Sequence, residues 1–170
     1  MKTFAAPPGL EFLGETRDED LVFLILADLA TRTPGSWVNV MEIYASAPAI
    51  SHQNNLAAYG LRSFVMPSDL LKAASMEKCL VIQEKNGECG VRQRIPVGKR
   101  TNKAITAVLR YDTADWLKVS ALQSLIESRF GLKSSTGDLL IALLADPVRF
   151  QLDRWEEDWW ARATYRYPAH

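Results

Sequence analysis

The stretch that decides the fold is residues 67–95, PSDLLKAASMEKCLVIQEKNGECGVRQRI. Pro67 is tolerated in the first turn of a helix, and Ser68 or Asp69 caps it. Leu70, Leu71 and Ala74 carry that helix through Met76 to Lys78. Leu80 to Lys85 is β-rich, Asn86-Gly87 is the preferred two-residue turn, and Glu88 to Ile95 returns with alternation. Two central turn residues fix the register, so that paired positions sum to 173. Ile82 then faces Val91, Glu84 faces Cys89, and Cys79 lies opposite Arg94, which disfavours a Cys79–Cys89 disulfide.

Upstream, Asp18 to Thr31 reads as a helix with acids in its first turn, where the helix dipole favours them. Leu21, Leu24, Ile25 and Leu29 recur at helical spacing, and Val22, Phe23 and Leu26 broaden the apolar face. Thr33-Pro34-Gly35 stops it. A short piece containing Trp37 follows, then a helical stretch from Val40 to Ala45, a polar loop over 46–55 and a further helix from Leu56 to Phe64. Two helices and a short strand, then a helix running into a hairpin, is the element order of a winged helix–turn–helix. Residues 67–96 resemble the recognition helix and wing of MarR-like winged-helix regulators. The loop over 46–55 departs from that pattern, being longer than a compact helix–turn–helix uses.

The chain also repeats itself. Residues 37–45, WVNVMEIYA, match 116–124, WLKVSALQS, at an offset of 79, and 67–73, PSDLLKA, match 136–142, TGDLLIA, at an offset of 69. The lost ten places fall at the 46–55 loop. The second copy then has helices over Asn102–Arg110, Ser120–Phe130 and Ser135–Ala145, with a wing from Val148–Arg154 and Trp159–Tyr167. The expectation is an α+β, mainly helical chain of two tandem winged-helix modules, 18–97 and 98–170, behind an N-terminal extension, 1–17. Trp37 and Trp116 are expected to anchor equivalent cores. A module of about 70 residues is marginal alone, which favours two packed together.

Composition excludes several classes. The 170 residues are 48% hydrophobic, which rules out wholesale disorder, and no apolar run is long enough to cross a bilayer. Two cysteines are too few for a disulfide framework, so a cytoplasmic protein is expected. Twenty basic and twenty acidic residues cancel, so no global basicity announces nucleic acid. Local clusters are sharper: Arg92, Arg94, Lys99, Arg100 and Lys103 stand in an acid-free stretch, whereas Glu156, Glu157 and Asp158 sit between tryptophans.

Catalysis has little support in the residues. His52 and His170 do not make a metal site, and no Walker loop, dinucleotide glycine pattern or nucleophile elbow occurs. Asp69 with Gln83-Glu84-Lys85 faintly resembles the PD-(D/E)xK nuclease acids, but Asp69 stands where a helix begins and reads as a cap. The expectation is therefore a non-enzyme without catalytic residues, metal or cofactor.

Double-stranded DNA is the partner that the winged-helix resemblance implies, through the third helix in the major groove and the wing on phosphates. Ser68, Lys72, Ser75 and Lys78 would form the helix face. Lys85, Arg92, Arg94, Lys99 and Arg100 would supply the phosphate contacts. The second copy offers Gly137, Asp138 and Ile141 at the reading positions and carboxylates at its wing tip, which suits DNA badly. Trp155, Trp159, Glu156 and Glu157 instead suggest a surface for a protein partner or a second subunit, with no membrane contact. The leading expectation is a transcriptional regulator. The alternative is an adaptor, resembling the tandem winged-helix kite subunits of SMC complexes, or a subunit or inhibitor of a nucleoprotein complex.

Overall fold

A computed structural model of the protein describes residues 18–53, 66–112, 115–155 and 158–164. The expected N-terminal extension, the helix expected over Leu56–Phe64, and Glu156 and Glu157 lie outside these residues. Helix α1 spans Asp18–Ala30, strand β1 Val38–Asn39, helices α2 and α3 Val40–Gln53 and Pro67–Ser75, and strands β2 and β3 Leu80–Lys85 and Glu88–Gln93. The same order then recurs: α4 Lys99–Ala107, β4 Leu117–Lys118, α5 Val119–Phe130, α6 Thr136–Leu144, β5 Phe150–Trp155 and β6 Asp158–Ala163. The class is α+β, with two antiparallel three-stranded sheets ordered β1-β3-β2 and β4-β6-β5.

The first hairpin has the expected register, with Ile82 opposite Val91 and Glu84 opposite Cys89. Asn86 (φ 53) and Gly87 (φ 79) occupy the left-handed conformations that this turn requires. Arg94 N–H donates to Cys79 O at 2.7 Å, and both cysteines are free. In the second half Leu152 faces Ala161 and Trp155 faces Asp158. The start of α2 maps onto that of α5 at an offset of 79, and that of α3 onto α6 at 69.

Several boundaries differ from those expected. Over residues 46–53 the expected loop is helix: α2 continues through Pro48 to Gln53, and residues 54 and 55 lie outside the described residues. Proline inside a helix costs about 3 kcal/mol, but Ile43, Ala47 and Ile50 recur on one side and are all buried, which offsets it. Most of the ten-residue difference between the copies therefore lies after α2, where thirteen residues precede α3 against five before α6. Helix α3 ends at Ser75 rather than Lys78. Helix α4 begins at Lys99 and passes into a π-helical segment, Val108–Asp112. The first strand of the second hairpin starts later than expected, at Phe150, because Pro147 and Val148 stay in an exposed turn tied to Asp146 O by the Arg149 and Phe150 N–H groups; the end of the expected second strand, residues 165–167, lies outside the described residues.

Helix α1 is the centre of the molecule. Leu21, Phe23, Leu24, Ile25, Leu26 and Leu29 are all buried, which accounts for a helix apolar almost all round. It packs against α2 and α3 of its own half and α6 of the other. The halves are joined around it. Phe23 stacks on Trp159 with centroids 4.2 Å apart, and Arg154 is ion-paired with Asp20 and, at 3.3 Å, with Glu19. The buried Gln93 side chain donates to Asp138 Oδ1 at 2.7 Å, and Gly137 lies under the Cys79 thiol.

The tryptophans expected to anchor two cores do not. Trp37 and Trp116 occupy equivalent places, but each is only half-buried and lies on the outer face of its own sheet. The Trp37 indole covers Gly90, where any Cβ would overlap it, and its N–H donates to Gln83 O at 2.8 Å. An indole has one polar edge, and an edge that must reach a strand carbonyl keeps the ring outside the apolar core.

Candidate nucleic-acid interface

Alternation along β2 and β3 sorts the first hairpin into two faces. Leu80 and Val91 turn inward and are buried. Gln83, Lys85 and Arg92 share the outer face with Trp37, and the Lys85 ammonium lies 5.3 Å from that ring's centroid. From Ile82 to Lys85 every residue of β2 is exposed, so this hairpin projects from the core.

Helix α3 starts from Met66, whose N–H donates to Asp69 Oδ2 at 2.7 Å. Asp69 thus does the work of a cap, as its position implied. Leu70, Ala73 and Ala74 hold the helix against the core. Ser68, Lys72 and Ser75 are exposed, and the Ser75 hydroxyl donates back to Lys72 O at 2.6 Å. Lys78 is exposed in the connection to β2 rather than on the helix.

Arg92 and Arg94 are held by the backbone. Arg92 donates to Gln83 Oε1 at 3.2 Å, to Gln93 O at 3.2 Å and to Arg94 O at 3.3 Å. Arg94 donates to Lys78 O at 3.1 Å and Leu80 O at 3.5 Å. A guanidinium has five N–H donors, so each still presents its charge and its remaining donors. Arg94 ties the end of the α3 segment to the hairpin, joining Lys78, Arg92 and Arg94 into one basic corner. Lys99 and Arg100 are exposed on the first turn of α4, one short connection further on.

The second half treats its equivalent surfaces differently. Ser68 and Lys72 of α3 correspond to Gly137 and Ile141 of α6, and both of those are buried. The α6 face that corresponds to the open face of α3 is pressed against the first half, beneath Cys79 and beside Gln93. Sequence alone recorded that face as poor for bases; what it lacked was the reason, a contact between residues 45 positions apart.

Trp155 and Trp159 separate onto opposite faces of the second sheet. Trp159 turns inward onto Phe23, with the Arg154 guanidinium 5.4 Å from its ring centroid. Trp155 turns outward, stacks on Trp160 at 4.5 Å and meets Trp116 edge-on at 5.3 Å. Arg162 lies over Trp116 at 4.4 Å and Lys118 over Trp160 at 5.3 Å. Asp115 and Asp158, each 3.4 Å from its cation, pair with Arg162 and Lys118. Sequence reasoning singled out neither Trp160 nor these cations; the two-residue spacing of Trp160 and Arg162 on one strand was the available signal.

Among the described residues, two side chains have clearly shifted acidity. Burial pushes the Cys79 thiol up to about 12, helped by the nearby Glu77 and Asp138 carboxylates, so it is a protonated core residue. Burial also raises Asp28 above the usual carboxylate range, against the opposing pull of Arg32 at 3.1 Å. Among the described residues no group of three or more His, Cys, Asp or Glu side chains is placed to hold a metal, and no helix is long and apolar enough to cross a membrane. Comparison with protein-family models, with curated proteins and with solved structures finds no match to this chain.

Proposed function

We propose that the chain is a tandem winged-helix protein that binds double-stranded DNA without catalysing a reaction. Residues 67–100 of the first module make the contact. Ser68, Lys72 and Ser75 of α3 face the major groove; Lys78, Lys85, Arg92, Arg94, Lys99 and Arg100 reach the phosphates. Such contacts give affinity that depends on salt, while the helix face gives sequence choice. Two free thiols fit a reducing cytoplasm, and transcriptional control is the use we assign.

One observation carries the reading. Of two equivalent helix faces, one is polar and exposed beside a projecting basic hairpin, and the other is apolar and spent on the contact between halves. A face needed only for packing has no reason to differ in this way. The second module is assigned to protein contacts, and the half-exposed set of Trp116, Trp155 and Trp160 favours an adaptor as the second reading.

The test is fluorescence anisotropy of labelled duplex DNA across a salt series. Affinity should fall steeply with salt, and Lys72→Glu with Lys78→Glu should weaken binding by tenfold or more, on the order of 1–2 kcal/mol. These lysines are exposed and make no ion pair among the described residues, so the fold is spared. No binding at low salt would leave the adaptor reading in its place.

A further inference from the structure

The outer face of the second sheet is built differently from that of the first. In the first, the Trp37 indole covers Gly90 and its N–H donates to Gln83 O, so one ring finishes the face. Strand pairing makes Trp160 the counterpart of Gly90 and Trp155 the counterpart of Lys85. Two further indoles thus stand beside Trp116, all three half-buried, where the first half has a glycine and a lysine. A cluster of rings on the open face of a sheet points to a surface that another molecule covers.

The charges between the rings decide which molecule. Alternation turns Asp158, Trp160 and Arg162 of β6 outward, with Gln151, Asp153 and Trp155 of β5 on one side and Trp116 and Lys118 on the other. Across the sheet, Trp116, Arg162 and Gln151 form one row, and Lys118, Trp160 and Asp153 the next. Asp158 and Trp155 form the third, beyond the end of β4. Trp160 is therefore central, flanked by Lys118 and Asp153 across the sheet and by Arg162 and Asp158 along its strand. Two cations balanced by two carboxylates do not suit a phosphate backbone.

The pattern complements itself. Two copies of one face meet about a two-fold axis lying in the plane of contact. An axis along β6 through Trp160 would set Arg162 on the partner's Arg162 and Asp158 on the partner's Asp158. An axis across the strands would oppose Lys118 to its copy and Asp153 to its copy. One diagonal would set Arg162 on the partner's Lys118. The other, through Trp160 and Gln151, sets Arg162 on the partner's Asp153, Lys118 on the partner's Asp158 and Trp116 on the partner's Trp155. The spacings exchanged, about 6.8 Å along a strand and about 4.8 Å between strands, differ by about 2 Å, which long cationic stems span. Lys118 and Asp158, 3.4 Å apart in one chain, then join their copies in a neutral cluster of four. This diagonal crosses the sheets near a right angle, one of the two packings that sheets adopt.

We propose that the outer face of the second sheet binds a second copy of this chain about that diagonal axis. The proposal rests on the assignment of the second module to protein contacts, and it uses none of the residues assigned to DNA.

Sedimentation velocity of the full chain without DNA, over a concentration series, tests it. The face is small, so the dimer should form in the micromolar range. Asp153 is exposed and makes no ion pair among the described residues. Asp153→Lys should therefore weaken the dimer by about tenfold or more while leaving the unfolding midpoint unchanged. Arg162→Glu should weaken it likewise. An equimolar mixture of the two variant chains should regain the dimer, because the substituted residues meet each other at one contact and the natural pair meets at the other. A role in folding alone gives no such rescue. The proposal fails if the chain stays monomeric at every concentration, or if Asp153→Lys associates as the unsubstituted chain does. It fails too if the mixture stays monomeric while each variant keeps its circular dichroism. Duplex DNA that shifts the indole signals of Trp116, Trp155 and Trp160 would overturn the underlying assignment as well.

Discussion

At the residue scale, close approaches and buried groups give the sharpest expectations. Gly90 makes room for the Trp37 indole, so Gly90→Val should destabilise the protein by about 1–3 kcal/mol in urea unfolding, with the Trp37 fluorescence environment changed. At Gly137 a Cβ would stand 2.5 Å from the Cys79 sulfur. Gly137→Ala should destabilise alone and be partly relieved by Cys79→Ala, a coupling that a double-mutant cycle measures. The Cys79 thiol is held near 12 against an ordinary value of 9.0, so the folded state keeps a proton that the unfolded chain releases. Stability from this group is complete below pH 9 and is lost as pH rises towards 12, and Cys79→Ala should flatten that slope. Below pH 9, Cys89 should react with a thiol reagent well before Cys79. Tryptophan roles were the least legible residues in the sequence. Large aromatic rings announce burial, but the Gln83 carbonyl that accepts the Trp37 indole N–H and the glycine that lets the ring lie outside are 46 and 53 positions away in the chain.

At the scale of elements, what a local signal decides was legible and what burial decides was not. Asn86-Gly87 dictates its own turn, and the register of the whole first hairpin follows from it. The offset between repeats likewise located α5 and α6 within a residue of their starts. Reading 46–55 as a polar loop missed the end of α2, since the polar residues and the proline there are visible in the sequence and the burial of Ala47 and Ile50 is not. Among the binding residues, the basic character of 92–103 was plain. That Arg92 and Arg94 lean on backbone carbonyls was not, least of all for Arg94, whose partners Lys78 and Leu80 stand 16 and 14 positions away. The two arginines are therefore expected to matter twice. Arg94→Ala should cost stability by about 1 kcal/mol as well as DNA affinity, whereas Lys72→Ala should lower affinity alone; thermal unfolding beside anisotropy separates them.

At the scale of the molecule, two similar units are joined unequally. The second lays its α6 and the inner face of its sheet on the first, and α1 supplies the surface for both. Residues 18–97 made alone should therefore lose cooperative unfolding or be far less stable than the whole chain, as circular dichroism against urea would record. Arg154 is the polar part of this joint, 8% exposed at its side chain, with Asp20 at 4%. Removing it takes this cation away from a buried carboxylate, so Arg154→Met should cost about 3–5 kcal/mol, and adding Asp20→Asn should recover part of that. The consequence for function is that one helix face is consumed and its counterpart is left open.

Amide and indole chemical-shift mapping, with duplex DNA titrated into the labelled full chain at low salt, tests that division directly. The perturbed signals should come from α3, Lys78, the β2–β3 hairpin and the first turn of α4, with α6 and the indoles of Trp116, Trp155 and Trp160 unmoved. Perturbations centred on those tryptophans or on α6, or none anywhere, would contradict it.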